Sequence, residues 1–134
     1  MALKYVLDTH ALIWYLEGNP RLGPKAKVLL DDPTIELVLP LIALSEAVFI
    51  IARGKTGIPN VSTLLERVDG DPRIILYPLD RSVLDKTLEL EEIPEMHDRQ
   101  IAATALLLEH QGHTIFLLTK DTYLVSSVAV ATIW

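Results

Sequence analysis

Residues 4–18 read KYVLDTHALIWYLEG, and the join inside this stretch decides the fold. Tyr5, Val6 and Leu7 are consecutive, apolar and β-favouring, as in a strand covered on both faces. From Ala11 to Leu16 the apolar character continues at helical spacing. A strand over residues 4–7 is therefore expected to pass directly into a helix over 9–17, which Gly18, Asn19 and Pro20 end. Asp8 stands at the join. A carboxylate at the end of a buried strand is costly unless something pairs with it. Either Asp8 caps the helix after it, or the rest of the chain supplies a partner for its charge.

Outward from that join the same alternation repeats. The pattern predicts helices over 24–30, 41–53, about 61–68, 81–91 and 97–110, and strands over 35–39, 73–77, 114–118 and 128–132. Pro24 suits a first helical turn, Asn60 or Ser62 a cap, Asp80 a cap, and Gly54 and Gly112 helix ends. Short, fully apolar strands separated by helices indicate an α/β fold with a parallel sheet covered on both sides. Ligands of such folds sit outside the carboxyl ends of the strands. There is no repeat, linker or low-complexity tract, and 134 residues suit one domain over 1–134.

The chain has no cysteine, so disulfides and thiolate metal sites are excluded. No apolar run reaches the ~18 residues of a membrane span. The first residues lack a signal-peptide pattern, which makes the cytoplasm the expected compartment. The net charge is −6, opposite in sign to a typical nucleic-acid binder. A cluster of acids around a cation would by itself push the charge in that direction.

Of the 18 acidic residues, most need no function; Asp31, Asp32, Asp69, Asp71 and the run from Glu89 to Glu95 read as solvated faces. Four stand out. Glu46 lies in PLIALSEAVFIIARG (40–54), where its helical neighbours Ile42, Ala43, Phe49 and Ile50 are all apolar. Asp98 opens DRQIAATALLLEH and continues onto a face of Ile101, Ala102 and Ala105. Asp121 follows a strand, as Asp8 does. Each Asp taken alone is better explained as a cap or first-turn acid.

Taken together, the four can face one edge of one sheet. Packed carboxylates repel, and a divalent cation removes that penalty. Mg²⁺ takes oxygen ligands and keeps waters, and two such ions can activate a water and stabilise a leaving oxygen in phosphodiester cleavage. Thr9 and Thr119 flank the set and can orient a carboxylate, with local backbone capping slightly favoured for Thr9. Arg99 and Lys120 adjoin two of the acids and can meet substrate phosphates, with Arg53 and Lys55 extending that surface. Exposed ion pairing is the alternative for these cations. His97 is a weak candidate for substrate contact, and Trp14, Tyr15 and Trp134 read as core or interface aromatics rather than base-stacking platforms. Dinucleotide, P-loop and G-x-S-x-G motifs are absent. A haloacid-dehalogenase-type phosphatase needs a second Asp two residues after the first, where His10 stands, and Asp8 has no adjacent acid for a receiver domain.

YVLDTHALIWYLEG (5–18), LSEAVFIIARGK (44–55), HDRQIAATALLLEHQG (97–112) and FLLTKDTYL (116–124) together resemble the PIN-domain nucleases, and among them the stand-alone toxins of the VapC type. The four matches run in order over nearly the whole chain. The resemblance implies a three-layer α/β/α sandwich with a central, mostly parallel sheet of about five strands. It implies a Mg²⁺- or Mn²⁺-dependent endoribonuclease, with the family's acids on Asp8, Glu46, Asp98 and Asp121 and its hydroxyl on Thr119. It also implies a homodimer and a small antitoxin partner. The other readings are a housekeeping ribonuclease of the same family, or a non-catalytic interaction module on the same fold.

Overall fold

The computed structural model describes residues 2–134. Five strands form the sheet: β1 (Leu3–Leu7), β2 (Glu36–Pro40), β3 (Ile74–Tyr77), β4 (Thr114–Leu118) and β5 (Thr132–Ile133). Their order is β3-β2-β1-β4-β5, and every pairing is parallel. Tyr5, Val6 and Leu7 are buried in succession, as are Leu37 to Pro40. Side chains alternate between faces along a strand, so both faces of the sheet are covered.

Among the described residues seven helices do the covering: α1 (Thr9–Glu17), α2 (Pro24–Leu30), α3 (Leu41–Ala52), α4 (Val61–Asp69), α5 (Arg81–Thr87), α6 (Met96–His110) and α7 (Thr122–Ser126). This is the expected parallel α/β sandwich. Gly18 ends α1 in the left-handed region at φ 66°, donating its N–H to Trp14 and Tyr15 carbonyls. Leu12, Leu39, Ile101, Leu117 and Leu118 are among the fully buried side chains of one continuous core.

The chain leaves β1 for β2 and β3 on one side, then returns for β4 and β5 on the other. The strand order therefore reverses at β1, and the crevice between the carboxyl ends of β1 and β4 is the switch point where such folds bind ligands. Val6 is level with both Val38 and Leu117, and the Asp8 N–H continues the ladder to the Leu118 carbonyl at 3.5 Å. The join read from residues 4–18 thus ends at that crevice.

Two elements differ from expectation by more than one residue at an end. The last strand is Thr132–Ile133 rather than 128–132. Ser127 accepts the Ala129 N–H and donates to Glu92, which folds this segment into a turn and leaves Val128 fully exposed. The helix after Asp80 stops at Thr87 because Leu90 and Ile93 turn inward to full burial. Far from the switch point, Arg73 pins the entry to β3. Its guanidinium grips both oxygens of Asp71 and donates to the Leu30 and Asp32 carbonyls at 2.6 and 2.8 Å.

Candidate active site

Asp8, Glu46, Asp98 and Asp121 all line one cleft of about 510 Å³ at the switch point. Four separate elements deliver them. Asp8 ends β1 and caps α1, accepting the Ala11 N–H through Oδ1 at 2.7 Å. Asp121 follows β4 and caps α7, accepting from Tyr123 and Leu124 through Oδ1 alone. Glu46 reaches the same edge because α3 starts directly at Pro40, the last residue of β2, with no loop between. Asp98 is the third residue of α6, whose cap is Glu95. The capping role foreseen for Asp8 and Asp121 is therefore real. At Asp121 it leaves Oδ2 without a hydrogen bond among the described residues.

The hydroxyls hold the carboxylates. Thr9 is buried and donates to Glu46 Oε1 at 2.8 Å, so it orients an acid 37 positions away instead of capping locally, the role slightly favoured from sequence. Thr119 is fully buried and accepts the Asp121 N–H at 3.1 Å. The Thr119 side chain also works against the upward shift of the Asp8 carboxyl.

The electrostatics record carboxylate crowding. Burial pushes the Asp8 carboxyl up, against hydrogen bonds from Thr119 and Ala11 and the nearby His10, and Asp121 pushes it further. Asp98 is raised from 3.8 to about 7, first by burial and then by the charges of Asp121, Glu95, Glu46 and Asp8. Among the described residues no three carboxylate or imidazole groups already converge into a ligand sphere. The acids share a cleft while standing apart. Their donor set still fits a hard divalent cation: all oxygen, strongly anionic and open to water.

Not every expected residue joins them. Lys120 lies at the cleft, its Nζ 4.8 Å from the Trp14 ring centre. Arg99 does not line it. Its guanidinium donates to the Ile93 and Glu91 carbonyls and lines a separate groove with Leu84 and Met96. Adjacency to Asp98 does not aim a side chain, since successive helical residues diverge by about 100°.

Sequence reasoning missed Glu95, which lines the cleft and was read as a solvated face. Burial pushes its carboxyl up, but the Asp98 and His97 N–H groups and the His97 ring outweigh that and hold it below the usual range. His97 links two acids, with Nδ1 2.7 Å from Glu95 Oε1 and 3.5 Å from Glu46 Oε2. Trp14, Trp134 and His10 also line the cleft. The available signal for Trp14 was its place on the helical face begun by His10, four residues earlier.

No curated protein matches the sequence. Solved structures share the fold. VapBC2 from Rickettsia felis, bound to a DNA fragment from its promoter, is 15% identical, with 98% of each chain covered and a TM-score of 0.71. A toxin–antitoxin complex from Klebsiella pneumoniae is 20% identical, with 96% of each chain covered and a TM-score of 0.66. VapC20 from Mycobacterium tuberculosis, described as a toxin cleaving the sarcin–ricin loop, is 15% identical, covering 95% of this chain and 98% of that one, with a TM-score of 0.65. The PIN domain family model matches residues 5–129, a span that holds all four acids, and the chain belongs to that family.

Proposed function

We propose that the protein is a Mg²⁺- or Mn²⁺-dependent endoribonuclease acting as the toxin of a toxin–antitoxin pair. The observation that carries this reading is the convergence of four carboxylates from four elements on one cleft at the switch point. The likeness to VapC20 supports RNA as the substrate class, and the likeness to the Klebsiella pneumoniae complex supports a small antitoxin partner. In this reading the whole chain acts as one domain, as a homodimer, in the cytoplasm. No helix among the described residues is long and apolar enough to cross a membrane.

Asp8, Glu46, Asp98 and Asp121 would hold the cation. When bound, a divalent cation neutralises the crowded acids, acidifies a water and stabilises charge developing on the phosphate. Thr9 fixes Glu46 through one oxygen, and Thr119 fixes the Asp121 backbone. Asp98, protonated in part near neutral pH, must release its proton to ligate. Lys120 supplies positive charge at the rim for the RNA backbone.

Incubation with labelled RNA tests the reading. Cleavage is expected with Mn²⁺ and lost in EDTA. It is expected to fall by about 100-fold or more in Asp8→Asn, consistent with loss of metal catalysis. Asparagine still accepts the Ala11 N–H, so the variant keeps its cap. Full activity in EDTA or in the variant would overturn the proposal. Copurification with the product of an adjacent short reading frame separates a toxin from a housekeeping ribonuclease.

A further inference from the structure

One wall of the acidic cleft is aromatic. Trp14 and Trp134 meet edge-on, with centroids 5.9 Å apart and planes at 65°. His10 lies 5.2 Å from Trp14, tilted by 50°. All three line the cleft. The tryptophans are half-buried, packed on the core while bordering the cleft.

The wall is built, not incidental. The Trp134 carbonyl accepts the Lys25 and Ala26 N–H groups at 3.1 and 3.2 Å. Gly23 makes room for its ring, since a Cβ there would come within 2.5 Å of Trp134 Cδ1. Two cations attend Trp14: the Lys120 Nζ at 4.8 Å and the Arg21 guanidinium carbon at 6.0 Å from the ring centre. Neither makes a salt bridge among the described residues.

Flat π-faces, the unpaired Lys120 and a cation-seeking acid cluster within one cleft, with Arg21 beside the Trp14 indole, suit a ligand that is flat at one end and phosphorylated at the other. An apolar ligand would leave the cations unused, and an anion without a flat group would leave the indoles unused. An unpaired nucleotide uses all three. We infer that Trp14, with Trp134 and His10, forms a stacking wall for an unpaired nucleobase whose neighbouring phosphate would meet the cation held by the acids. Lys120 leaves the indole face as the base arrives and takes the RNA backbone. The identity of the strand rests on the ribonuclease reading; the stacking is measurable without turnover. The wall confers a preference for single-stranded RNA with little regard to sequence, because every base has a π-face and a paired base cannot reach it.

The chain has two tryptophans, and both lie in this wall, so intrinsic fluorescence reports on it alone. The test uses the Asp8→Asn protein in magnesium buffer with a short oligoadenylate RNA, the same strand made abasic, and its duplex. The intact single strand is expected to quench tryptophan emission. The abasic strand and the duplex should leave emission unchanged and bind about tenfold or more weakly. His10→Ala, at an exposed position, should weaken binding of the intact strand but not of the abasic one. Equal affinity for intact and abasic strands, binding without an emission change, or no binding of either strand would each overturn the inference. Quenching by a protein whose wild type never cleaves RNA would sink the ribonuclease reading and leave the wall standing. Cleavage together with base-indifferent binding would do the reverse.

Discussion

Asp98→Asn should make the metal-free protein more stable while removing its response to metal. At pH 8 the native Asp98 carboxyl is ionised against a pKa of about 7, and in the unfolded chain it ionises near 3.8. The gap between those values corresponds to ~4 kcal/mol as an upper bound. Asp98 is only half-buried, so solvent screening reduces the bound to about 1–2 kcal/mol. Removing an acid from the first turn of α6 costs roughly 0.3–1 kcal/mol of dipole interaction. The net gain is on the order of 1 kcal/mol, or about 2–5 °C in Tm. The sign follows from proton counts. Between about pH 4 and 7 the native carboxyl holds a proton that the unfolded one has lost, so wild type loses stability as pH rises through that window. The advantage of the Asn variant therefore grows from pH 5 to pH 8. Saturating Mn²⁺ should stabilise wild type by mass action and the variant far less. Thermal unfolding at both pH values, in EDTA and in Mn²⁺, reads all of this. An Asn variant less stable than wild type in EDTA at pH 8, or one whose advantage is larger at pH 5, would refute the reasoning.

Thr9→Val keeps the shape of the side chain but removes the hydrogen bond to Glu46. RNA cleavage should fall about tenfold, an effect of the size one oriented hydrogen bond confers, and Thr9→Ser should restore most of it. Arg99→Ala should lower Tm through the freed Ile93 and Glu91 carbonyls and leave RNA affinity unchanged. Lys120→Ala should do the opposite, weakening RNA binding with little effect on Tm; both are read by filter binding and thermal melts. Arg73→Ala strands two carbonyls and the Asp71 carboxylate. It should cost about 2–4 kcal/mol in urea unfolding, with specific activity unchanged below the transition.

The sequence revealed most where one physical signal dominated. Residues 9–17 and 24–30 match α1 and α2 to the residue, because apolar period, Gly and Pro all agree there. Residues 128–132 misled because VAVAT has strand composition, while only Thr132 and Ile133 find a partner in β4; pairing is a non-local property that composition does not carry. Glu46 was legible as an acid in an apolar helix. His97 was legible only as a weak candidate and Glu95 not at all, because a polar run at a helix start looks the same whether it faces water or a cleft. Arg99 was misassigned because its direction depends on where the loop carbonyls of Glu91 and Ile93 come to lie. Trp14 and Trp134 sit 120 positions apart and meet only in the folded chain, so no local pattern announces the wall they form.

Calorimetric titration of Mn²⁺ into wild type and into Glu46→Gln tests the central claim most directly. Glutamine keeps the acceptor that Thr9 holds and removes only the charge. Saturable binding to wild type, weakened about tenfold or more in the variant, is the predicted result. Equal heats for the two proteins, or no binding to wild type, would contradict the account that these acids gather to hold a cation.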